Sequence, residues 1–258
     1  MRPWIVWSVG LLAYVVAVLD RTTLGVSGLD AADRFHASPG VLSTFVVLQV
    51  SMYAVAQIPA GLLLDRFGSR VMIVIGGFLM AAGQLTLAFS ESLPMAIAAR
   101  AVLGVGDAFT FISVLRLVPH WFDERRIPLI SQLTGICGQF GQVLSAVPFV
   151  ALLGGAGWST AYLSAAGFGV LAAVLAIALI QDTPHGRAVP EHSVAVHEIW
   201  SHLKTVWLRP GTLLGFFTHM GTQFSVTTFA LMWGVPYLTE AQGLSHSVAG
   251  ALLTVSVG

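Results

Sequence analysis

The stretch Gly61-Leu62-Leu63-Leu64-Asp65-Arg66-Phe67-Gly68-Ser69-Arg70 puts one acid and two arginines into a short turn between two long apolar runs. The run before the turn covers residues 39–64 and the run after it covers residues 71–89. Each run can cross a bilayer, because a transmembrane helix needs about 20 mostly apolar residues. The turn is therefore predicted to lie at a membrane surface, and the number of crossings on either side of it decides the fold.

The composition indicates an integral membrane protein. Hydrophobic residues make up 56% of the chain and charged residues only 9%, with a mean hydropathy of +0.83. Soluble domains carry about 25% charged residues, so a soluble protein is excluded. The formal net charge is zero, which leaves no basic excess for binding nucleic acid. The single cysteine, Cys137, excludes an internal disulfide.

Apolar runs of membrane-spanning length recur along the whole chain and predict an all-α protein. The first six cover residues 4–27, 39–64, 71–89, 94–118, 127–153 and 158–180. A seventh covers residues 210–238, and residues 247–258 begin an eighth that stops too short to cross. The first run is too long for a signal-peptide core and lacks a convincing cleavage site, so it is kept as a span.

A long polar stretch divides the chain into three predicted parts. Residues 1–181 form an N-terminal bundle of six transmembrane helices, and residues 182–208 form a cytoplasmic linker. Residues 209–258 begin a C-terminal bundle with the seventh span and the incomplete eighth. The openings of the second and eighth spans resemble each other weakly, as an internal repeat of six-span halves requires.

The linker carries one helical pattern. Its apolar residues Ile199, Leu203, Val206 and Trp207 recur at helical spacing, which predicts a short amphipathic helix on the inner membrane surface. The pair His197-Glu198 is followed by a histidine only at position 202, so the spacing of a zinc-protease motif is not met and no metal site is predicted.

The basic residues set the predicted orientation, because cytoplasmic loops of membrane proteins are enriched in lysine and arginine. With the N-terminus inside, the outer loops hold only Arg34. The inner segments hold Arg2, Arg66, Arg70, Arg125, Arg126, Arg187, Lys204 and Arg209. We therefore predict a multi-pass protein of the cell membrane with a cytoplasmic N-terminus, and the turn of residues 61–70 lies on the cytoplasmic side.

Four segments resemble one transporter family. Gly61-x-x-x-Asp65-Arg66-x-Gly68-x-Arg70 resembles the signature loop of the major facilitator superfamily, although Ser69 stands where that family often has a basic residue. The fourth-span stretch Arg100-Ala101-Val102-Leu103-Gly104-Val105-Gly106-Asp107 resembles its second motif. The glycines of the fifth span, Gly135, Gly138 and Gly141, resemble its glycine-rich fifth helix. Asp20-Arg21-Thr22-Thr23-Leu24 is similar to the anion:cation symporter branch, where that arginine commonly meets an anionic substrate.

The resemblance implies a fold of two six-helix bundles that transports by alternating access. This chain would hold the six-helix N-terminal bundle plus the first one to two helices of the second bundle. Because the family has twelve spans and the chain ends early in the eighth, we expect a fragment or a truncated product. The resemblance also implies that a cytoplasmic gate motif is formed by Gly61, Asp65, Arg66, Gly68 and Arg70.

Ionisable residues inside the spans are candidate functional groups, because such groups are expensive in a bilayer and face a cavity or a partner. By helical rise, Asp20 and Arg100 lie at similar depth, which suggests an ion pair. We assign both to proton coupling together with Asp107, since a carboxyl near mid-membrane can carry a proton. A permanent charge partner is the alternative for Asp107. Arg21 is the predicted substrate contact, with a structural ion pair to an acid such as Asp107 as its alternative.

Uncharged polar residues and glycines complete the prediction. Gln49, Tyr53 and Gln57 share one face of the second span, and we assign Gln49 and Tyr53 to substrate binding. His219 and Gln223 of the seventh span are assigned likewise, with a packing role as the alternative for His219. Such residues also join helices by hydrogen bonds. Close helix contacts are expected at Gly76, Gly77, Gly104, Gly106, Gly135, Gly138 and Gly141.

Together these features predict a proton-coupled secondary transporter that moves a small anionic organic solute. Its partners are the solute, protons and the lipid bilayer, and we expect a monomer without cofactor and without nucleic acid. One alternative is a drug or metabolite efflux antiporter of the same fold, which the absence of a Gly-Pro pair in the fifth span disfavours. The other is a non-transporting membrane sensor. An enzyme is not predicted, since the sequence shows no Ser/His/Asp set, zinc motif or phosphate loop.

Overall fold

The computed structural model describes residues 2–184, 199–229 and 233–257, and in these ranges every regular element is helical. The first half begins with α1 (Arg2–Val26), α2 (Gly28–Phe35), α3 (Pro39–Phe89) and α4 (Leu93–Trp121). A 3-10 turn at Glu124–Arg126 precedes α5 (Ile127–Gly138) and α6 (Phe140–Leu144). A π-helical turn at Ser145–Phe149 then leads into α7 (Val150–Ala156) and α8 (Trp158–Leu179).

The second half contains shorter elements. They are α9 (Ile199–Trp207), α10 (Pro210–Thr228), α11 (Gly234–Pro236), a π-helical turn at Tyr237–Ala241, and α12 (His246–Val257). A helix thus occupies the segment for which the sequence predicts an amphipathic helix, and its Trp200, Leu203, Val206 and Trp207 are exposed. The linker residues Arg187, His197 and Glu198 lie outside the described residues.

Five helical segments are long and apolar enough to cross a membrane, and they accommodate the six crossings predicted before residue 181. They are Arg2–Val26, Gly40–Phe89, Leu93–Trp121, Glu124–Ala156 and Trp158–Leu179. The second has 50 residues, enough for two crossings. The predicted all-α membrane fold is confirmed. Among the described residues after 199, no helix meets the same criteria of length and hydropathy.

The division of α3 into two arms depends on Gly68. This residue has φ 80° and ψ 169°, whereas the residues on either side are helical. The predicted turn of residues 61–70 is therefore much tighter: residues 39–67 form a first arm and residues 69–89 a second arm. A left-handed φ is accessible to glycine without steric cost. The carboxylate of Asp182 accepts a hydrogen bond from the backbone N–H of Arg70, with 2.9 Å between Arg70 N and Asp182 Oδ1.

Other parts of the chain can also be compared with the sequence prediction. The polar break after α1 contains a helix, α2, which ends at His36 in a left-handed conformation. The fifth span stays helical but changes helix type at the π-helical turn, which contains Pro148; proline lacks the N–H that an α-helical ladder needs. In the seventh predicted span the structure describes α10, which ends at Thr228, and α11, which begins at Gly234; residues 230–232 lie outside the described residues.

Close packing inside the first half brings α1, both arms of α3, α4 and α8 together. One close approach joins α4 to the second arm of α3: a Cβ built on Gly76 lies 2.7 Å from the carbonyl oxygen of Gly106. The reciprocal Cβ on Gly106 lies 2.8 Å from the carbonyl oxygen of Gly76. Only glycine at both positions permits this approach. The expected close contact at Gly135 is wrong, because a Cβ there meets nothing within 4 Å.

We predict that Gly68→Ala destabilises the protein by about 1–3 kcal/mol, the range for a non-glycine residue held in a strained backbone conformation. A Cβ at this position would also lie 2.8 Å from the Asp182 carboxylate. Thermal unfolding in detergent measures the change. Gly167→Ala in α8 is the matched control, because a Cβ there meets nothing within 4 Å. Equal midpoints for the two variants would contradict the role given to Gly68.

Candidate functional site

The centre of the candidate site is a bidentate ion pair between α1 and α4. The Nε of Arg21 lies 2.7 Å from Oδ2 of Asp107, and its Nη2 lies 2.8 Å from Oδ1. The two side chains differ in exposure: that of Arg21 is 27% exposed and that of Asp107 only 3%. The Arg21 guanidinium also lies over the ring of Tyr53, 5.2 Å from its centroid. The arginine therefore keeps an accessible edge while the carboxylate behind it is buried.

A second cluster of polar side chains lies beside this pair, around Asp20 of α1. Gln84, from the second arm of α3, donates from Nε2 to Asp20 Oδ1 at 3.0 Å. Arg100 of α4 donates to the backbone carbonyls of Asp20 and Arg21, at 3.4 and 3.0 Å, and to the hydroxyl of Thr23 at 3.2 Å. Asp20, Gln84 and Arg100 are all buried. Polar side chains from α1, α3 and α4 thus meet inside the bundle.

The ion pair predicted between Asp20 and Arg100 is not formed. Within the described ranges, the two side chains do not approach to ion-pair distance, and Arg100 instead contacts the Asp20 backbone. Helical rise fixes how deep a residue lies but not which way it points around the helix axis. The Asp20 carboxylate points toward α3, and the acid that pairs with an arginine at this depth is Asp107.

For Arg21 the structure shows the ion pair with Asp107 that was given as the alternative to substrate contact. Asp107 therefore has a charge partner in this state, while its assignment to proton coupling stays a prediction.

The predicted polar face of the second span lies next to Arg21. Gln49 is buried, and its Nε2 has no hydrogen-bond partner among the described residues. The Nε2 of Gln57 likewise has no hydrogen-bond partner among the described residues. Tyr53, which lies between the two glutamines in the sequence, contacts Arg21 through its ring. Buried amide donors without a partner are uncommon in folded proteins. The first arm of α3 therefore carries two such donors, one helical turn before and one after Tyr53.

The two predicted site residues of the seventh span are not brought to this cluster. His219 and Gln223 are both exposed on α10. This helix packs mainly against α9 and α12. Their assignment to substrate binding stays a prediction without a contact to Arg21.

The signature-loop residues form a separate cluster at the junction between the two arms of α3. Asp65 pairs with Nη1 of Arg116 near the end of α4. Arg70 contacts Asp182 through its backbone N–H and the carbonyl of Ile177 through its side chain. The Arg66 guanidinium lies over the ring of Phe67, and Gly61 has open space around it. Gly68 supplies the break between the arms, so the loop ties α3 to α4 and to the segment after α8.

A cavity of about 670 Å³ lies away from both clusters. None of the predicted site residues lines it. Its lining is almost wholly apolar and comes from α2, the start of α3 and the segment around α11: Gly28, Leu29, Ala32, Leu42, Ser43, Phe229, Trp233, Pro236, Tyr237 and Glu240. A charged solute needs convergent polar groups, so the Arg21 cluster is the better candidate site.

Sequence reasoning missed three side chains of these clusters, and one of them is Arg116, the partner of Asp65. Gln84 contacts Asp20, and Asp182 contacts the backbone at Gly68. A glutamine within an apolar span was the available signal for Gln84, as it was for Gln49. Asp182 follows the sixth span in a polar stretch, where an acid gives no signal of its own.

A comparison with known protein families agrees with this geometry. The family described as Major Facilitator Superfamily matches residues 10–258 of the chain. This chain belongs to the Major Facilitator Superfamily. The suspected resemblance of its motifs to that family is confirmed.

Relatives within the superfamily carry transporter names. The chain is 23% identical to the D-galactonate transporter of Escherichia coli O6:H1, covering 95% of this chain and 61% of that protein. It is 24% identical to the probable galactarate/D-glucarate transporter GarP of Escherichia coli K12, covering 95% of this chain and 62% of that protein. Because family and relatives are transporters, the expectation that the chain is not an enzyme is confirmed. The chain spans about 60% of the length of these relatives.

Solved structures agree on the fold. A bacterial homologue of the human lysosomal transporter Spinster, in an inward-facing and unoccupied conformation, has a TM-score of 0.73 at 15% identity. The alignment covers 99% of this chain and 60% of that one. A D-xylose-proton symporter has a TM-score of 0.65, also at 15% identity. At this identity the likeness shows a Major Facilitator Superfamily fold.

We predict that two double-mutant cycles, read from unfolding in detergent, separate the two ion pairs. The Arg21→Gln and Asp107→Asn cycle should show coupling above about 1 kcal/mol, because Arg21→Gln leaves the buried Asp107 carboxylate without its partner. The Asp65→Asn and Arg116→Gln cycle should stay below about 1 kcal/mol, as exposed pairs do. Asp65 is 46% exposed and Arg116 22%, which supports this difference. Equal coupling in the two cycles would contradict the structural ranking of the pairs.

Proposed function

We propose that this Major Facilitator Superfamily protein is a secondary active transporter that moves a small anionic organic solute together with a proton by alternating access. The observation that carries the proposal is the bidentate Arg21–Asp107 pair, with its accessible arginine and buried carboxylate. A guanidinium presents a planar fork that fits one carboxylate at a time in this way. A carboxylate solute entering from the exposed side of Arg21 would therefore compete with Asp107 for the same donors.

Charge balance then couples the solute to a proton. The acids Asp20 and Asp107 and the bases Arg21 and Arg100 sum to zero when all four are ionised. A bound carboxylate adds one negative charge to this buried group, which is unfavourable in a low-dielectric site. One proton on Asp20 or Asp107 restores the balance. Because binding free energies are linked, a proton that favours the anion is favoured by the anion to the same degree.

The neighbouring donors suit a solute that carries hydroxyl or carbonyl oxygens as well as a carboxylate. The Nε2 groups of Gln49 and Gln57 have no partner among the described residues, and Tyr53 lies against Arg21. Oxygen atoms of a bound solute would supply the missing acceptors. The relatives named for D-galactonate and for galactarate and D-glucarate are named for solutes of this type, which are acids with several hydroxyl groups. We extend that class to this chain.

The cytoplasmic gate follows from the signature-loop cluster. Asp65, Arg66 and Arg70 with Gly61 and Gly68 would hold the inner ends of α3 and α4 in one state and release them in the other. The contacts of Asp65 with Arg116 and of Arg70 with Asp182 support this role. We place the protein in the cell membrane as a monomer with a cytoplasmic N-terminus, and its partners are the solute, protons and lipid.

We predict that the affinity of the purified protein for D-galactonate increases as the pH falls from about 8 to about 5. With one proton bound per anion, Kd should decrease by up to about tenfold per pH unit. Isothermal titration measures it, with uncharged D-galactose as the matched control solute. Binding is measured first because the residues of the proposed anion site all lie in the first half of the chain: Arg21 in α1, Tyr53 in α3 and Asp107 in α4. A Kd that does not change with pH would contradict proton coupling, and equal binding of galactose would contradict the anion site.

Transport is tested in proteoliposomes with an imposed pH gradient. Uptake of D-galactonate driven by protons moving in the same direction supports the proposal, and Arg21→Gln should abolish it. Binding of the anion without uptake under any imposed gradient would overturn the transporter assignment in favour of a sensor. Asp65→Asn tests the gate separately, because unchanged uptake rates would remove its gating role.

A further inference from the structure

The contact between Asp20 and Gln84 contains two unused acceptors. Both side chains are 0% exposed, and they come from α1 and from the second arm of α3. Gln84 Nε2 lies 3.0 Å from Asp20 Oδ1, 3.3 Å from the Asp20 carbonyl and 3.3 Å from the Thr23 hydroxyl. The other oxygen of each group, Asp20 Oδ2 and Gln84 Oε1, has no hydrogen-bond partner among the described residues. A buried acceptor without a donor is unfavourable.

These two oxygens cannot satisfy each other while Asp20 is ionised, because both are acceptors. Turning the amide over would not help, since Gln84 Oε1 would then face the carboxylate and lose the bond to Oδ1. A proton on Asp20 changes the situation, because a protonated carboxyl has one O–H donor. An acid and a primary amide are complementary: the amide N–H can donate to one acid oxygen while the acid O–H donates to the amide oxygen.

We propose that Gln84 is the positioning residue for the transported proton, which it holds on Asp20 as a cyclic acid–amide pair. The inference rests on the proposed proton coupling and assigns the proton to one atom. A proton from the aqueous side binds to Asp20 Oδ2, and the new O–H donates to Gln84 Oε1. The bond from Gln84 Nε2 to Asp20 Oδ1 is kept. Both orphan acceptors are then paired, and the proton leaves again to water when the carboxylate re-forms.

The other charged and titratable groups around Asp20 have different hydrogen-bond partners, so the proposed role falls to Gln84. On α1, Arg21 is engaged by Asp107 of α4. Arg100 of α4 donates to backbone carbonyls and to Thr23 rather than to the carboxylate. On α8, Tyr162 bonds Ser27 through its hydroxyl at 2.7 Å. Among the described residues, Gln84 is the side chain whose hydrogen bond reaches the Asp20 carboxylate.

The arrangement also separates the proton from the anion. Asp20 and Arg21 are adjacent in α1, so their side chains point about 100° apart around the helix axis. Asp20 faces the second arm of α3, whereas Arg21 faces Asp107 and Tyr53. The proton and the solute therefore bind on two faces of one helix. A rotation of α1 would change access to both sites together.

Infrared difference spectroscopy on the reconstituted protein, with the pH lowered in the presence of D-galactonate, tests the pair. The protonated Asp20 should give a C=O stretching band at the low wavenumber of a doubly hydrogen-bonded acid, and Asp20→Asn should abolish it. Gln84→Met keeps the side-chain volume but removes the amide oxygen and the amide nitrogen, so the band should move to higher wavenumber. Gln132→Met, at an exposed glutamine of α5, is the matched control and should leave it in place.

The outcomes separate this inference from the proposed function. A band that is lost in Asp20→Asn but unmoved in Gln84→Met would overturn the role of Gln84 and leave the proton on Asp20. The lack of any band that depends on Asp20 would overturn this inference, whereas a band that depends on Asp107 instead would leave the proposed proton coupling in place. The unaltered protein gives a second measurement if Gln84→Met does not fold. With side-chain ¹³C-labelled glutamine, one labelled amide band should shift together with the Asp20 band, and no such shift would contradict the pair.

Discussion

The ion pair between Arg21 and Asp107 is the interaction on which the rest of the site depends. A charged side chain inside a bilayer must find a partner or a wet cavity, and this pair provides a partner through two parallel hydrogen bonds. It joins α1 to α4 and holds Arg21 against Tyr53 of α3. The asymmetry of its exposure gives it a function beyond packing. A pair buried on both sides would be structural, whereas an arginine with an open edge can change partners.

Backbone packing makes that pair geometrically possible. Gly76 and Gly106 allow α4 to approach the second arm of α3 until each glycine would clash with the other's carbonyl if it carried a Cβ. This approach also brings Gln84 and Arg100 to the same turn of α1. Gly68 reverses the chain at the junction between the two arms of α3. One set of glycines therefore positions the charged cluster, and one glycine positions the signature loop with Asp65 and Arg70.

The sequence predicts the residue types of this site better than their contacts. Charged residues in apolar runs identified Asp20, Arg21, Arg100 and Asp107, because the bilayer makes such residues rare. Their pairing was not predictable in full, since depth along a helix is readable from spacing while rotation around its axis depends on packing. Gln84 was missed although a glutamine within an apolar span, the signal that identified Gln49, was present there too. The π-helical turn of the fifth span was missed because apolar composition hides a local change of helix type.

In the proposed mechanism, an anion and a proton bind to one electrostatic unit. Titration calorimetry of D-galactonate binding, repeated in two buffers with different ionisation enthalpies, measures the protons exchanged per bound solute. We expect an uptake of about one proton per anion in the wild type, which follows from the linkage between the two sites. This uptake should be lost when Asp20 and Asp107 are both changed to asparagine. Binding with the same enthalpy in both buffers, and hence without proton uptake, would contradict this mechanism.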